Sequence, residues 1–256
     1  EGWCDLDSVV RWLASTHVED RRDALLMLLE VCEQAYGEDG RYLGQHFRQH
    51  QGLGLHLLCG MLATEQEAEM RQQALLVLGN LASNAVDSES ILTKRMLLEP
   101  KSESAIIGSL QSDDASTLLF ACGCLQNLSN DMVWADLLVT RGTNRRLEEL
   151  LTHDNQNVVR YAAGALGNLS ITTNTQLGEQ TQKAVRERTR DAEVNEFRLR
   201  QSQRIISRGA ARIPAHMRIQ RVLRAHGAVV RPPPPARRDL SQQLLLTQNA
   251  DTGAGV

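Results

Sequence analysis

The sequence of 256 residues predicts an all-α protein built as a solenoid of about four helical repeats. Three observations support this prediction. Four segments share one pattern of apolar residues, aromatic residues make up only 4% of a chain that is 42% hydrophobic, and Gly or Pro stands where successive helices should end. A composition rich in Leu and Ala and poor in aromatic residues favours the packing of helices on helices.

The repeated pattern is an alanine, an apolar residue four positions later and a second apolar residue three positions after that. This spacing places all three side chains on one face of an α-helix, where the small alanine lets a neighbouring helix approach closely. The four sets are Ala24/Leu28/Val31, Ala74/Leu78/Leu81, Ala121/Leu125/Leu128 and Ala162/Leu166/Leu169. Successive alanines are 50, 47 and 41 residues apart, and a period of about 40–47 residues is typical of armadillo and HEAT repeats.

Two shorter helices are predicted ahead of the long helix in the third and fourth repeats. In the third repeat Pro100 should separate them, and in the fourth Arg141 and Gly142 should do so. His153 and Asp154 then precede the last long helix. Gly and Pro mark these corners because Gly adopts the conformation that ends a helix and Pro cannot continue one.

The segment VVRYAAGALGNLS at 158–170 carries the end of the pattern most fully, and LGNLAS and QNLS occur earlier in the chain. This order of elements resembles the armadillo repeat family. It consists of a short helix, a Gly-containing corner, a second helix and a third helix that ends in this motif. The resemblance covers about residues 1–172 and implies a right-handed α-solenoid. Its repeats fall at about 1–36, 37–86, 87–130 and 131–172, and the first lacks its opening helix.

In an armadillo stack the third helices line a concave groove. Asn80, Asn127 and Asn168 recur at one helical phase of these helices, whereas the first repeat has Glu30 there. An Asn amide offers a donor and an acceptor, so regularly spaced amides match the backbone of an extended peptide. The alternative interpretation is that these amides satisfy backbone groups near the ends of their own helices.

Importin-alpha, a member of the resembled family, pairs such asparagines with a tryptophan one turn earlier, and the pairs bind basic segments. Here the residues one turn earlier are Leu76, Gly123 and Gly164. The sequence therefore looks more like catenin-type and vacuolar scaffold armadillo proteins than like importin-alpha. One turn after the asparagines come Asn84, Asp131 and Thr172. Asp131 stands where importins place an acid for a lysine of the cargo.

The charge of the chain is divided unequally. Residues 1–182 hold 13 Lys+Arg and 25 Asp+Glu, a net charge of −12, whereas residues 183–256 hold 15 and 6, a net charge of +9. The acidic part should favour a cationic partner. The change of sign predicts a domain boundary near residue 180.

Beyond the repeats, residues 173–207 predict a charged helical extension and 208–256 a basic, Pro-containing flexible tail, so the C-terminal tail is expected to be partly disordered. Ile219 and Gln220, followed by Arg224, form a fragment of the calmodulin-binding IQ pattern. A calmodulin-like partner is therefore one interpretation of the tail. A solvated extension and a basic segment that docks on the acidic solenoid are two others.

No phosphate-binding loop, nucleophile elbow or HExxH motif is found, and no nucleophile can be placed beside a base, so the protein is not expected to be an enzyme. The five cysteines form no CxxC pair and are predicted to be reduced core thiols, with no metal site and no cofactor. No apolar run is long enough to span a membrane. These features predict a cytoplasmic protein, with the nucleus as the alternative compartment.

The sequence therefore predicts a non-catalytic scaffold or adaptor that holds an extended segment of a partner protein in the concave groove, with a basic segment as one alternative. The candidate groove residues are Asn80, Asn127, Asn168, Asn84 and Asp131. The alternative function is an importin-alpha-like nuclear transport adaptor that binds basic segments. A third interpretation is that the chain is part of a longer solenoid, because an incomplete first repeat leaves an apolar end to be capped.

Overall fold

The computed structural model describes residues 5–174, 178–179, 181–183, 185–187, 219 and 223. Residues 5–174 form ten α-helices and two short 3₁₀ turns, and none of the described residues is in a β-strand. The helices are α1 (Leu6–Leu13), α2 (Val18–Gln34), α3 (Glu38–Thr64), α4 (Ala68–Leu81), α5 (Ser90–Met96), α6 (Pro100–Gly108), α7 (Ala115–Leu128), α8 (Met132–Thr140), α9 (Thr143–Glu149) and α10 (Gln156–Thr173). The 3₁₀ turns are Ser109–Gln111 and Leu150–Thr152.

The long helices α2, α4, α7 and α10 carry the repeated apolar pattern, and each packs against the next in chain order. We call them the third helices, since shorter helices precede each of them. All twelve side chains of the predicted pattern are buried, with at most 3% of their surface exposed. The structure thus confirms the predicted helix face and the all-α solenoid that follows from stacking it.

The corners between the shorter helices lie where Gly and Pro predict them. Pro100 occupies the first turn of α6, and the Glu99 carboxylate caps that helix by accepting a hydrogen bond from the Ser102 amide at 3.0 Å. Gly142 precedes α9 with a φ of 70°, a left-handed conformation that suits glycine. The predicted breaks at Pro100 and at Gly142 are therefore confirmed.

A sharp corner divides α3 into two parts. His50, Gln51 and Gly52 have φ values of 49°, 59° and 80°, and for the first two this left-handed conformation is strained. The two parts approach closely at Gly54, where an added Cβ would lie 2.7 Å from the Phe47 ring. Phe47 is completely buried, so its packing against Gly54 stabilises the corner.

A buried ion pair joins α3 to the segment that leads into α5. Arg48 donates to Asp87 at 2.5 Å and to the Thr93 hydroxyl at 2.9 Å. An added Cβ at Gly44 would lie 2.1 Å from the Asp87 carboxylate, so only glycine leaves room for the pair. Because each charge is paired and hydrogen-bonded, its burial is tolerated and fixes how the second and third repeats meet.

Part of the C-terminal region packs on the end of the solenoid. An added Cβ at Gly79 would lie 3.3 Å from Cys124 Cα of the following third helix. At the equivalent Gly167 of α10 the neighbour is instead Val185, at 3.1 Å, within the helical residues 185–187. Val185 therefore contacts α10 at the position where a fifth repeat would contact it.

Two residues of the range predicted to be a flexible tail are helical and buried. Ile219 is 3% exposed and Leu223 is fully buried, and both belong to the same hydrophobic core as the repeats. At these two positions the apolar side chains are removed from water by packing in the core of the solenoid. The rest of 208–256, and 173–207 beyond the positions given above, lies outside the described residues.

Replacing Leu223 by Ala should destabilise the whole chain. Removing a fully buried leucine leaves a cavity and costs about 2–5 kcal/mol of the free energy of unfolding. Ile171→Ala is the matched control, because that side chain is 83% exposed and should cost little. Urea unfolding followed by circular dichroism measures both, and equal unfolding free energies would show that Leu223 does not pack on the solenoid.

The described cysteines should be unreactive in the folded protein. Cys32, Cys59, Cys122 and Cys124 are free and buried, as predicted, while Cys4 lies outside the described residues. Burial raises the pKa of the first three thiols to about 12 and raises the pKa of Cys124 as well. In a Cys4→Ser variant, a disulfide reagent at pH 8 should modify no thiol until denaturant is added and four afterwards. Rapid modification of the folded variant would contradict this packing.

Candidate functional site

Four positions on each third helix recur along one side of the stack. They are spaced by three, four and three residues, so they form one stripe on each helix. We call these sixteen residues the inner face. They are Asp23, Leu26, Glu30 and Glu33 on α2; Gln73, Leu76 and Asn80 on α4, with Ser83 just after it; Phe120, Gly123 and Asn127 on α7, with Asn130 just after it; and Tyr161, Gly164, Asn168 and Ile171 on α10.

Asn80, Asn127 and Asn168 of the inner face are already bonded through their amide nitrogens. Asn127 donates to the Gly79 carbonyl at 2.9 Å and Asn168 donates to the Gln126 carbonyl at 2.7 Å. Asn80 donates to the Leu76 carbonyl of its own helix at 2.9 Å. Two of the three thus join neighbouring third helices, and Asn80 alone satisfies a carbonyl of its own helix, the role that the sequence left open as an alternative.

The amide oxygens of the same asparagines point to a second use. Among the described residues no donor reaches Oδ1 of Asn80, Asn127 or Asn168. All three side chains are partly exposed. A half-exposed carbonyl oxygen held by a bonded amide nitrogen is a fixed acceptor, and it matches a backbone N–H donor.

Asn84 belongs to a polar cluster around a buried lysine. The Lys94 ammonium donates to Asn84 Oδ1 at 2.9 Å and to Asn130 Oδ1, and Ser90 donates to the same Asn84 oxygen at 2.6 Å. Lys94 is only 1% exposed, and burial lowers its pKa to about 8 although the Asp131 carboxylate opposes the shift. The cluster ties the ends of α4 and α7 to α5.

Asp131 is not an open acceptor for a partner's lysine. It is 4% exposed and caps α8 by accepting from the amides of Val133 and Trp134, both at 3.1 Å. Its second oxygen forms an ion pair with Arg95 at 3.0 Å. The structure therefore gives this carboxylate three internal partners, and its role is to begin a helix and to join two repeats.

The exposed apolar side chains of the inner face were missed as candidates by the sequence analysis. Leu26, Leu76 and Tyr161 are 48%, 36% and 38% exposed, although apolar residues of helices usually pack inwards. The Tyr161 ring lies over Gly123, 3.8 Å from the position of an added Cβ. The alignment of the repeats could have predicted these exposed leucines. Leu26 and Leu76 occupy the position that Gly123 has in the third repeat, one turn before the asparagine position.

No tryptophan lies on the inner face. Trp12 is 2% exposed and Trp134 is fully buried, where its indole N–H donates to the Lys94 carbonyl at 2.7 Å. Both are core residues, whereas Trp3 lies outside the described residues. The tryptophans that could be located thus pack inside the repeats instead of lining the groove.

His46 and His50, four residues apart in α3, have different surroundings. His46 contacts the Asp7 carboxylate at 3.2 Å, and burial is the largest influence on its pKa, which is lowered. His50 lies in the strained corner of α3. In the part of the chain that the structure describes, no three His, Cys, Asp or Glu side chains group as metal ligands would. None of the helices described is long and apolar enough to cross a membrane.

Comparisons with known proteins agree with this architecture. The model of the family described as Armadillo/beta-catenin-like repeat matches residues 145–171, which span α9 and most of α10. A designed armadillo repeat protein in complex with the peptide (KR)4 is similar in structure, with a TM-score of 0.55 at 14% identity over 87% of this chain and 99% of the other. The chain thus has the fold of an armadillo-repeat solenoid.

A second similar structure is that of computationally designed armadillo repeat proteins for modular peptide recognition. Its TM-score is 0.53 at 20% identity, over 71% of this chain and 70% of the other chain. No curated protein matches this chain. At these identities the similarity concerns the fold.

Replacing Lys94 by Met should change how stability depends on pH. Since burial lowers the Lys94 pKa from 10.5 to about 8, the unfolded chain binds the extra proton between these values, and the free energy of unfolding rises with pH there. Wild type should therefore gain melting temperature from pH 8 to pH 10 relative to Lys94→Met, by a few degrees. Lys101→Met, at an exposed position, is the control and should follow wild type. Parallel curves for wild type and Lys94→Met would contradict the burial of a charged amine.

Proposed function

We propose that the protein is a non-catalytic scaffold or adaptor that holds an extended segment of a partner protein along the inner face. The observation that carries the proposal is the row of partly exposed amide oxygens beside exposed apolar side chains. The oxygens belong to Asn80, Asn127 and Asn168, and the side chains are those of Leu26, Leu76 and Tyr161.

The spacing of the repeats suits an extended chain. Packed helices lie about 8–10 Å apart, and an extended chain advances about 3.3 Å per residue. Successive asparagine oxygens would therefore meet a backbone N–H at about every third residue of the partner. The side chains between these points would contact the exposed leucines and Tyr161, so the backbone supplies affinity and the side chains supply selectivity.

Two similar structures are of peptide-binding armadillo proteins, which supports this proposal. One of those proteins is in complex with the peptide (KR)4, and the other was designed for modular peptide recognition. Both share the fold of this chain. Asn84 and Asp131 would not contact the partner through the oxygens that bind Lys94, Ser90 and Arg95, and we propose that they shape the groove floor.

A second candidate function is that of a nuclear transport adaptor similar to importin-alpha. The acidic residues of the inner face on α2 favour it, since basic segments would be attracted there. The more general scaffold is favoured by the lack of tryptophan one turn before the asparagine position of each third helix. The residues there are Leu26, Leu76, Gly123 and Gly164. Both functions place the protein in the cytoplasm or the nucleus, and we propose the cytoplasm.

The rival function is best tested on the full chain. Deleting residues 183–256 would remove Val185, Ile219 and Leu223, which pack on the solenoid, so loss or gain of binding would be confounded by misfolding. Titration of the full protein with a fluorescent Lys/Arg-rich peptide, against a Ser/Gly peptide of the same length, separates the two functions. Micromolar or tighter binding of the basic peptide alone favours the transport adaptor.

Substitution of exposed inner-face leucines should abolish capture of extended peptides. Random twelve-residue peptides selected on the wild-type protein should bind Leu26→Ser/Leu76→Ser at least about tenfold more weakly, because two apolar contacts are lost. Ile91→Ser/Leu92→Ser is the control, since these side chains are 44% and 51% exposed on α5 instead of the inner face. Fluorescence anisotropy measures the affinities. Equal losses in the two double variants, or none in either, would refute binding along the inner face.

A further inference from the structure

The chemistry of the inner face changes from one end of the solenoid to the other. Its charged residues are Asp23, Glu30 and Glu33, and all three lie on α2. On α4, α7 and α10 every inner-face residue is uncharged. The aromatic residues lie at the opposite end, with Phe120 on α7 and Tyr161 on α10.

The acidic end has carboxylates that can meet a cation. Asp23 and Glu33 form no ion pair with any residue that the structure describes, and Glu33 is exposed. Nearby Arg22 is bonded to Glu67 at 2.7 and 2.8 Å, and Arg21 is bonded to Glu65, so these cations are directed to the neighbouring repeat. The surface of α2 that faces a partner is therefore negative.

The opposite end of the inner face has apolar surface and no charged residue. Tyr161 exposes 38% of its surface above Gly123, and Ile171 exposes 83% at the end of the same helix. A cationic side chain of a partner would meet no inner-face carboxylate there, whereas a leucine or an aromatic ring would bury apolar area.

We infer that the scaffold selects a partner segment of mixed character, with basic residues opposite α2 and an apolar or aromatic group opposite α7 and α10. This inference rests on the proposed function and adds the chemistry and the polarity of the bound segment. The occupant is a protein segment, because the asparagine oxygens between the two ends match backbone N–H donors at regular intervals. Charge complementarity at α2 fixes which end of the segment binds there.

The separation of the two groups follows from the packing of the helices. From α2 to α7 the groove crosses two helix spacings, about 16–20 Å in all. An extended chain covers that distance in about five or six residues. The centres of the basic and apolar groups in the segment should therefore lie about six residues apart.

Synthetic peptides test this directly on the full protein. One peptide carries three lysines and a Leu-Phe pair whose centres are six residues apart in a Gly/Ser chain, and a second carries the two groups in reverse order. Others have lysines at both places, Leu-Phe at both places, or a spacing of twelve residues. Fluorescence anisotropy at low salt measures all five affinities, because exposed charge pairs are screened by salt.

Two of the five peptides carry lysines and Leu-Phe six residues apart, in opposite orders. We expect one of these two to bind about tenfold more tightly than the other four peptides. The double variant Asp23→Asn/Glu33→Gln should bind that peptide about tenfold more weakly than wild type does. Its affinity for the peptide with Leu-Phe at both places should be unchanged. The Tyr161→Ala variant should bind the preferred peptide more weakly than wild type does. Its affinity for the peptide with lysines at both places should be unchanged. The matched controls are Asp136→Asn/Glu148→Gln, at exposed positions of α8 and α9, and Tyr42→Ala on α3.

Three results would overturn the inference. The first is equal affinity for both orders and for the peptides that carry lysines or Leu-Phe at both places. The second is an equal loss of affinity in the inner-face and the control variants. The third is that none of the five peptides binds. The first two leave the scaffold function standing, provided that the selected peptides still require Leu26 and Leu76. The third removes this chemistry alone, since the selection with random peptides decides the scaffold function independently.

Discussion

The close stacking of the third helices is the contact on which the rest of the structure depends. The four pattern alanines are completely buried, and Gly79 brings α4 within 3.3 Å of the backbone of α7, measured from an added Cβ. Larger residues at these positions would push the helices apart. Because each third helix packs on the next in the same way, equivalent residues of every repeat come to lie in rows.

These rows combine two roles in the same side chain. Asn127 and Asn168 bond a carbonyl of the preceding third helix through Nδ2, which holds neighbouring repeats at a fixed offset. The same bond fixes the orientation of Oδ1, the atom we propose for partner binding. The structural and the functional interpretations of the asparagine row are therefore compatible, because an amide has separate donor and acceptor atoms.

The polar contacts between repeats explain why part of the candidate site could not be predicted. Asp131 lies one turn after the asparagine position, and its sequence context matches an acid that faces the groove. In the structure it caps α8 and pairs with Arg95, 36 residues earlier in the chain. Lys94 likewise reaches Asn130, and Arg48 reaches Asp87, across sequence separations of 36 and 39 residues. No local pattern reveals such partners.

The sequence by itself determined the helices, their corners and the buried stripe, because these follow from local periodicity and from the backbone preferences of Gly and Pro. It also located the asparagine row, since that row has the period of the repeat. Only the tertiary structure decided which atoms of the asparagines are occupied, that Asp131 is internal, and that Val185, Ile219 and Leu223 pack on the solenoid. These outcomes depend on which distant residues come into contact, and burial follows from those contacts instead of from the local sequence.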